Sequence, residues 1–65
     1  MIQLNGEEKT GYDGVSVEEL VEREGFSKAR IAVEINGKIV GKAEYSTVCV
    51  HSGDVIEVVS FVGGG

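Results

Sequence analysis

The dipeptide Asn-Gly occurs twice, at Asn5-Gly6 and Asn36-Gly37, and each copy directly follows a stretch in which apolar and polar residues alternate. An Asn-Gly pair supplies two residues that tolerate the left-handed backbone of a two-residue hairpin turn, which makes it the strongest short-range hairpin signal a sequence offers. Ile2 and Leu4 alternate with Gln3 before the first turn. Ile31, Val33 and Ile35 alternate with Ala32 and Glu34 before the second, and Lys38-Ile39-Val40 follows it. A chain of 65 residues with two hairpins has room for little more than one connecting element and a last strand. The return strand of the first hairpin, placed near Glu8 to Tyr12, is polar and reads as a sheet edge, where charge discourages pairing with other chains.

Between the hairpins lies a helix signal. Ser16 can cap the first turn, Glu19 three residues on can reach back to the Ser16 backbone N–H, and Val15 and Leu20 stand at staple positions. The spacing predicts a helix over Val17 to Glu24 with Val17, Leu20 and Val21 on one face, ended by Gly25 in the left-handed conformation. About two turns of helix do not persist alone in water, so this one must pack on a sheet.

Gly41 to Tyr45 reads as an irregular or single-turn helical connection, Val48-Cys49-Val50 as a short extended segment, and Ser52-Gly53-Asp54 as a tight turn. The last strand, Val55 to Val62, is the most apolar run. Ile56 and Val58 share one face, whereas Val55, Val59 and Phe61 share the other. A strand apolar on both faces is central in its sheet, with its second face serving as a minor core or a docking surface. The elements assemble into an α+β fold of ubiquitin type: a mixed sheet of about five strands with one main helix on one face. The domain spans 1–62, and Gly63, Gly64 and Gly65 form a flexible tail.

Hydrophobic residues at 42% and charged residues at 26% place the chain among folded domains rather than disordered ones. The formal net charge of −5, with no basic run, excludes nucleic acid and anionic membrane as partners and favours a protein with a basic docking surface. One cysteine forms no internal disulfide, the first residues lack a signal-peptide pattern, and no apolar stretch nears the roughly 20 residues that span a bilayer. The cytoplasm is the expected location.

No spacing matches a metal site, a phosphate loop or a dinucleotide fingerprint, and no cofactor is expected to bind. Cys49 with His51 could form a nucleophile and base, but no third group orients the base; a lone cysteine between valines reads as a small buried hydrophobe. His51, beside a Ser-Gly-Asp turn, reads as solvated loop. The glycines are different. Three of them after an apolar strand cannot pack, and ordering them costs much backbone entropy. They are either a frayed end or a tail free of side chains, able to thread a narrow channel and present a terminal carboxylate to an adenylating centre. Coupling that carboxylate to AMP creates a leaving group that a sulfur nucleophile can displace.

Ile35-Asn36-Gly37-Lys38-Ile39-Val40, then Tyr45, then Gly53-Asp54-Val55-Ile56-Glu57, then Val62-Gly63-Gly64-Gly65 together resemble the thiamine-biosynthesis sulfur-carrier family of ThiS type, over essentially the whole chain. The resemblance implies a β-grasp fold. It also implies a cycle in which a ubiquitin-activating-like adenylyltransferase uses ATP to adenylate Gly65, and a cysteine desulfurase or related persulfide donor supplies sulfur. The resulting thiocarboxylate then serves thiazole synthase. By that resemblance Gly65 is the covalent site, Gly64 and Gly63 form the tail, and Val59, Phe61 and Val62 are partner contacts; the chain is a protein co-substrate rather than an enzyme. Two positions depart from the family, which usually has Pro where Gly41 stands and an acidic residue where Ser52 stands. Two other readings stay open: a sulfur carrier for molybdopterin, and a ubiquitin-like modifier or plain binding module.

Overall fold

The computed structural model of the chain describes residues 1–61. Five strands form one sheet: β1 (Ile2–Leu4), β2 (Glu7–Lys9), β3 (Ile31–Ile35), β4 (Lys38–Val40) and β5 (Val55–Ser60), in the order β2-β1-β5-β3-β4. β5 is central and runs parallel to β1, whereas every other neighbouring pair is antiparallel. This is the expected mixed sheet with one helix, α1 (Val17–Arg23).

Both Asn-Gly pairs form the predicted turns. Asn5 and Gly6 have φ of 50° and 83°, and Asn36 and Gly37 have φ of 52° and 83°, the doubly left-handed signature of the tight hairpin turn. β2 is an edge strand as its polarity predicts, but it ends at Lys9 rather than continuing to Tyr12. Gly11, at φ 87°, turns the chain out of the sheet and lets Tyr12 bury its ring in the core.

The helix starts where the capping signal places it: the Glu19 N–H donates to Ser16 Oγ at 3.1 Å. The reciprocal arm of the expected capping box is replaced, because the Glu19 carboxylate instead accepts from Arg23 one turn on. Two further N–H groups of the first turn donate to the segment arriving from the other end of the domain, Val17 to the Val48 carbonyl and Glu18 to the Tyr45 carbonyl, both at 2.9 Å. Those bonds satisfy donors that a helix start leaves without partners. At the other end Phe26 donates to the Val21 carbonyl and Gly25, at φ 84°, to that of Glu22, the paired bonds of a Schellman stop.

Val17, Leu20 and Val21 are buried against Ile56 and Val58 of β5 and the inward residues of β1 and β3. Each such aliphatic side chain removed from water contributes about 1.5–3 kcal/mol, which is what holds so short a helix in place. Short 3-10 turns at Lys28–Arg30 and Lys42–Glu44 carry the connections.

Candidate functional site

β5 ends the described chain, and two side-chain amides grip its backbone. Asn5 Oδ1 accepts from the Val58 N–H at 2.7 Å and Asn5 Nδ2 donates to the Val58 carbonyl at 3.1 Å. Asn5 thereby continues β1's role past the last β1 residue. On the other side Asn36 Oδ1 accepts from the Val55 N–H at 2.9 Å, and Asn36 Nδ2 donates to Asp54 Oδ1 at 3.0 Å. Beyond the strand, Phe61 donates its N–H to the Arg30 carbonyl at 2.7 Å. The chain is thus tethered up to the residue before Val62. Val62, Gly63, Gly64 and Gly65, the proposed tail, lie outside the described residues.

With α1 covering the Ile56 and Val58 face, the other face of β5 is open. Val59 is 56% exposed and Phe61 57% exposed, joined on the same sheet face by Val55 and by Ile39 of β4. The sequence left Phe61 open between core and docking surface, and the structure places it on the surface. Large apolar residues grouped on one uncovered sheet face make this face the candidate interaction surface.

Cys49 does not fill the core position read for it. It is exposed, with Sγ 3.9 Å from the Thr47 carbonyl. Val50 is buried and Val48 half-buried, so in an extended segment the residue between them points to solvent. That alternation was present in the sequence and is the signal that the reading of Cys49 as a hydrophobe passed over. His51 is solvated as expected, its Nδ1 3.9 Å from Asp13 Oδ1.

A polar cluster unforeseen from the sequence lies at the far end of α1. The Tyr12 hydroxyl donates to Glu24 Oε2 at 2.6 Å, and Lys9 Nζ lies 3.4 Å from Glu24 Oε1. The bond from Tyr12, aided by Lys9, holds the Glu24 carboxyl below its ordinary range despite partial burial, while burial followed by the Glu24 bond pushes the Tyr12 phenol up. Tyr45, buried beneath the Lys42 ammonium, is also raised by loss of solvent. The Tyr12, Glu24 and Lys9 group ties β2, the following loop and α1 together, whereas Lys42, bonded to the carbonyl of Ile31, lies beside Ser60 at the end of β5. Among the described residues no group of His, Cys, Asp and Glu could hold a metal ion, and no helix is long and apolar enough to cross a membrane.

A five-strand mixed sheet with one helix and the last strand at its centre is the β-grasp architecture the family resemblance implied. Residues 2–65 match the ThiS family, tail included. The chain belongs to the ThiS family. It is 39% identical over 66 residues to the sulfur carrier protein ThiS of Bacillus subtilis, covering 100% of both chains. It is also 42% identical over 62 residues to a thiazole synthase of Paramagnetospirillum magneticum, covering 95% of this chain and 19% of that one. A thiazole synthase of Magnetococcus marinus gives 41% identity over 64 residues, so the chain spans about a fifth of either synthase. The crystal structure of a thiamine biosynthesis protein, ThiS, from Geobacter metallireducens superposes with a TM-score of 0.79 at 27% identity, over 98% of this chain and 97% of that one. The β-grasp fold of this ThiS family member is thereby shown.

Proposed function

We propose that this chain is a sulfur carrier for thiazole formation in thiamine biosynthesis, with Gly65 as the covalent site. The observation that carries the reading is the family match running through Gly65, alongside full-length likeness to a Bacillus protein named as a sulfur carrier. In the proposed cycle an activating enzyme of the ubiquitin-activating type directs a Gly65 carboxylate oxygen onto the α-phosphorus of ATP, and pyrophosphate leaves. A persulfide sulfur from a cysteine desulfurase or related donor attacks the acyl carbon, and AMP departs with the original oxygen. A thiol then cleaves the S–S bond, leaving the thiocarboxylate that gives its sulfur to thiazole synthase.

Glycine at 63, 64 and 65 suits this role because a tail without side chains enters a narrow nucleotide pocket without clashes. Val59 and Phe61, with Val62, serve as docking contacts, the setting is the cytoplasm, and ATP belongs to the partner. Likeness to two thiazole synthases favours the thiazole branch over molybdopterin, and over use as a modifier or a plain binding module.

The test is intact-protein mass spectrometry after incubation with the cognate activating enzyme, ATP and a sulfur source. The expected result is a mass gain equal to exchanging one oxygen for sulfur, abolished by deleting Gly64 and Gly65. No gain with a partner set shown to be active would reject the cycle, and transfer solely to a molybdopterin precursor would reassign the branch.

A further inference from the structure

The open sheet face carries acid as well as apolar surface. Glu34 of β3 and Glu57 of β5 are direct cross-strand partners, and Ile39 of β4 is partner to Glu34, so Ile39, Glu34 and Glu57 form one row across three strands. In this ladder the pairs Arg30 with Phe61 and Asn36 with Val55 are hydrogen-bonded, which places Glu34 with Glu57 in the same class, with Cα atoms about 5.5 Å apart. Acidic side chains directly opposite each other destabilise a sheet. Among the described residues neither takes part in an ion pair.

Four of the six cations are used elsewhere: Lys9, Arg23 and Lys28 pair with acidic residues of α1 and its cap, and Lys42 donates to the carbonyls of Lys28 and Ile31. The other two, Arg30 opposite Phe61 and Lys38 beside Ile39, form no ion pair with Glu34 or Glu57 among the described residues. The helix side thus neutralises itself while the row on the open face does not. Ile39, 76% exposed, ends that row on β4, and Val59 and Val55 flank Glu57 along β5. A second copy of the chain is a poor occupant, because a two-fold contact would set this acidic row against itself between molecules of net charge −5.

We propose that Glu34 and Glu57 together accept one basic side chain, an arginine, from the protein partner that covers this face, its apolar neighbours packing on Ile39, Val59 and Phe61. A planar guanidinium presents donors to two carboxylates at once, which an ammonium does less well. The inference deepens the docking reading above and rests on it. It gives the pair opposite effects in the two states: repulsion in the free carrier, attraction in the complex.

The experiment titrates the full-length carrier against purified cognate thiazole synthase and, separately, the cognate activating enzyme, in a series of KCl concentrations. The double variant Glu34→Gln with Glu57→Gln is expected to lose roughly tenfold or more affinity for at least one enzyme, with a shallower salt dependence and a melting temperature equal to or above wild type. Wild-type affinity for both enzymes overturns the acceptor role. A lowered melting temperature accompanying the affinity loss also overturns it, by assigning the pair to the fold. Phe61→Asp in the same assay separates the two levels: if it abolishes binding while the double variant binds normally, the docking face stands without the acceptor. If neither change matters, or wild type binds neither enzyme, both fall. A wild-type dimer in sedimentation velocity would give the face to a second copy instead.

Discussion

At the scale of single residues, the turn asparagines do two jobs, and substitution separates them. Asn5 holds φ at 50°, costly for a residue with an ordinary Cβ, and its amide bonds both polar groups of Val58, far along the chain. Asn5→Ala is expected to cost about 2–3 kcal/mol in urea unfolding, and Asn5→Gly, which relieves the backbone but still loses the amide, about 1–2 kcal/mol. Equal losses would mean that the amide contacts contribute everything. Gly41 offers the opposite case. Its φ of −69° and ψ of 147° already fit proline, and a Cβ there meets nothing closer than Glu44 Oε1 at 3.7 Å. Gly41→Pro, the residue common in the resembling family, is expected to stabilise by about 0.5–1 kcal/mol and raise the melting point by a few degrees. Both turns were legible from Asn-Gly alone. The reach of the Asn5 and Asn36 amides to β5 was not, because it depends on which strands become neighbours, and short-range pattern carries no strand order.

At the scale of elements, the last strand shows where pattern stops and packing decides. Its alternation is plain in the sequence, with Ile56 and Val58 on one side and Val55, Val59 and Phe61 on the other. Hydrophobicity gives both sides the same weight, so the covered side is set by where α1 lands. The structure puts α1 over Ile56, which is fully buried, and leaves Phe61 in solvent. Ile56→Ala is therefore expected to cost about 2–5 kcal/mol, whereas Phe61→Asp should change stability by no more than about 0.5 kcal/mol while weakening partner binding. A large fall in melting temperature for Phe61→Asp would return that ring to the core and remove it from the docking face. The helix was legible for a complementary reason. Its limits are set by local chemistry at Ser16 and Gly25, so the prediction over Val17 to Glu24 differs from Val17–Arg23 by one terminal residue.

At the scale of the whole molecule, the Tyr12, Glu24 and Lys9 cluster joins the edge strand, the loop and the end of α1, and it makes stability depend on acid. Tyr12 had been read as the end of a strand, and no local pattern pairs it with a carboxylate at the far end of a helix. In the folded chain the Tyr12 hydroxyl, and then Lys9, depress the Glu24 carboxyl below its ordinary value of 4.5. Between the folded and unfolded values the unfolded chain binds more protons, so stability rises with pH there. The contribution is complete above about pH 4.5 and disappears as pH falls through the lower, folded value. Tyr12→Phe keeps the buried ring and removes the donor, so it is expected to destabilise by about 1–2 kcal/mol at neutral pH. Its stability curve should converge on that of wild type as pH falls below the depressed, folded Glu24 value, where protonation ends the advantage of a charged acceptor. Chemical denaturation repeated from pH 7 down to pH 3 reads the difference directly. A gap between the two proteins that stays constant across that range would mean that the Tyr12 hydroxyl does not depress Glu24, leaving Lys9 as the partner that does.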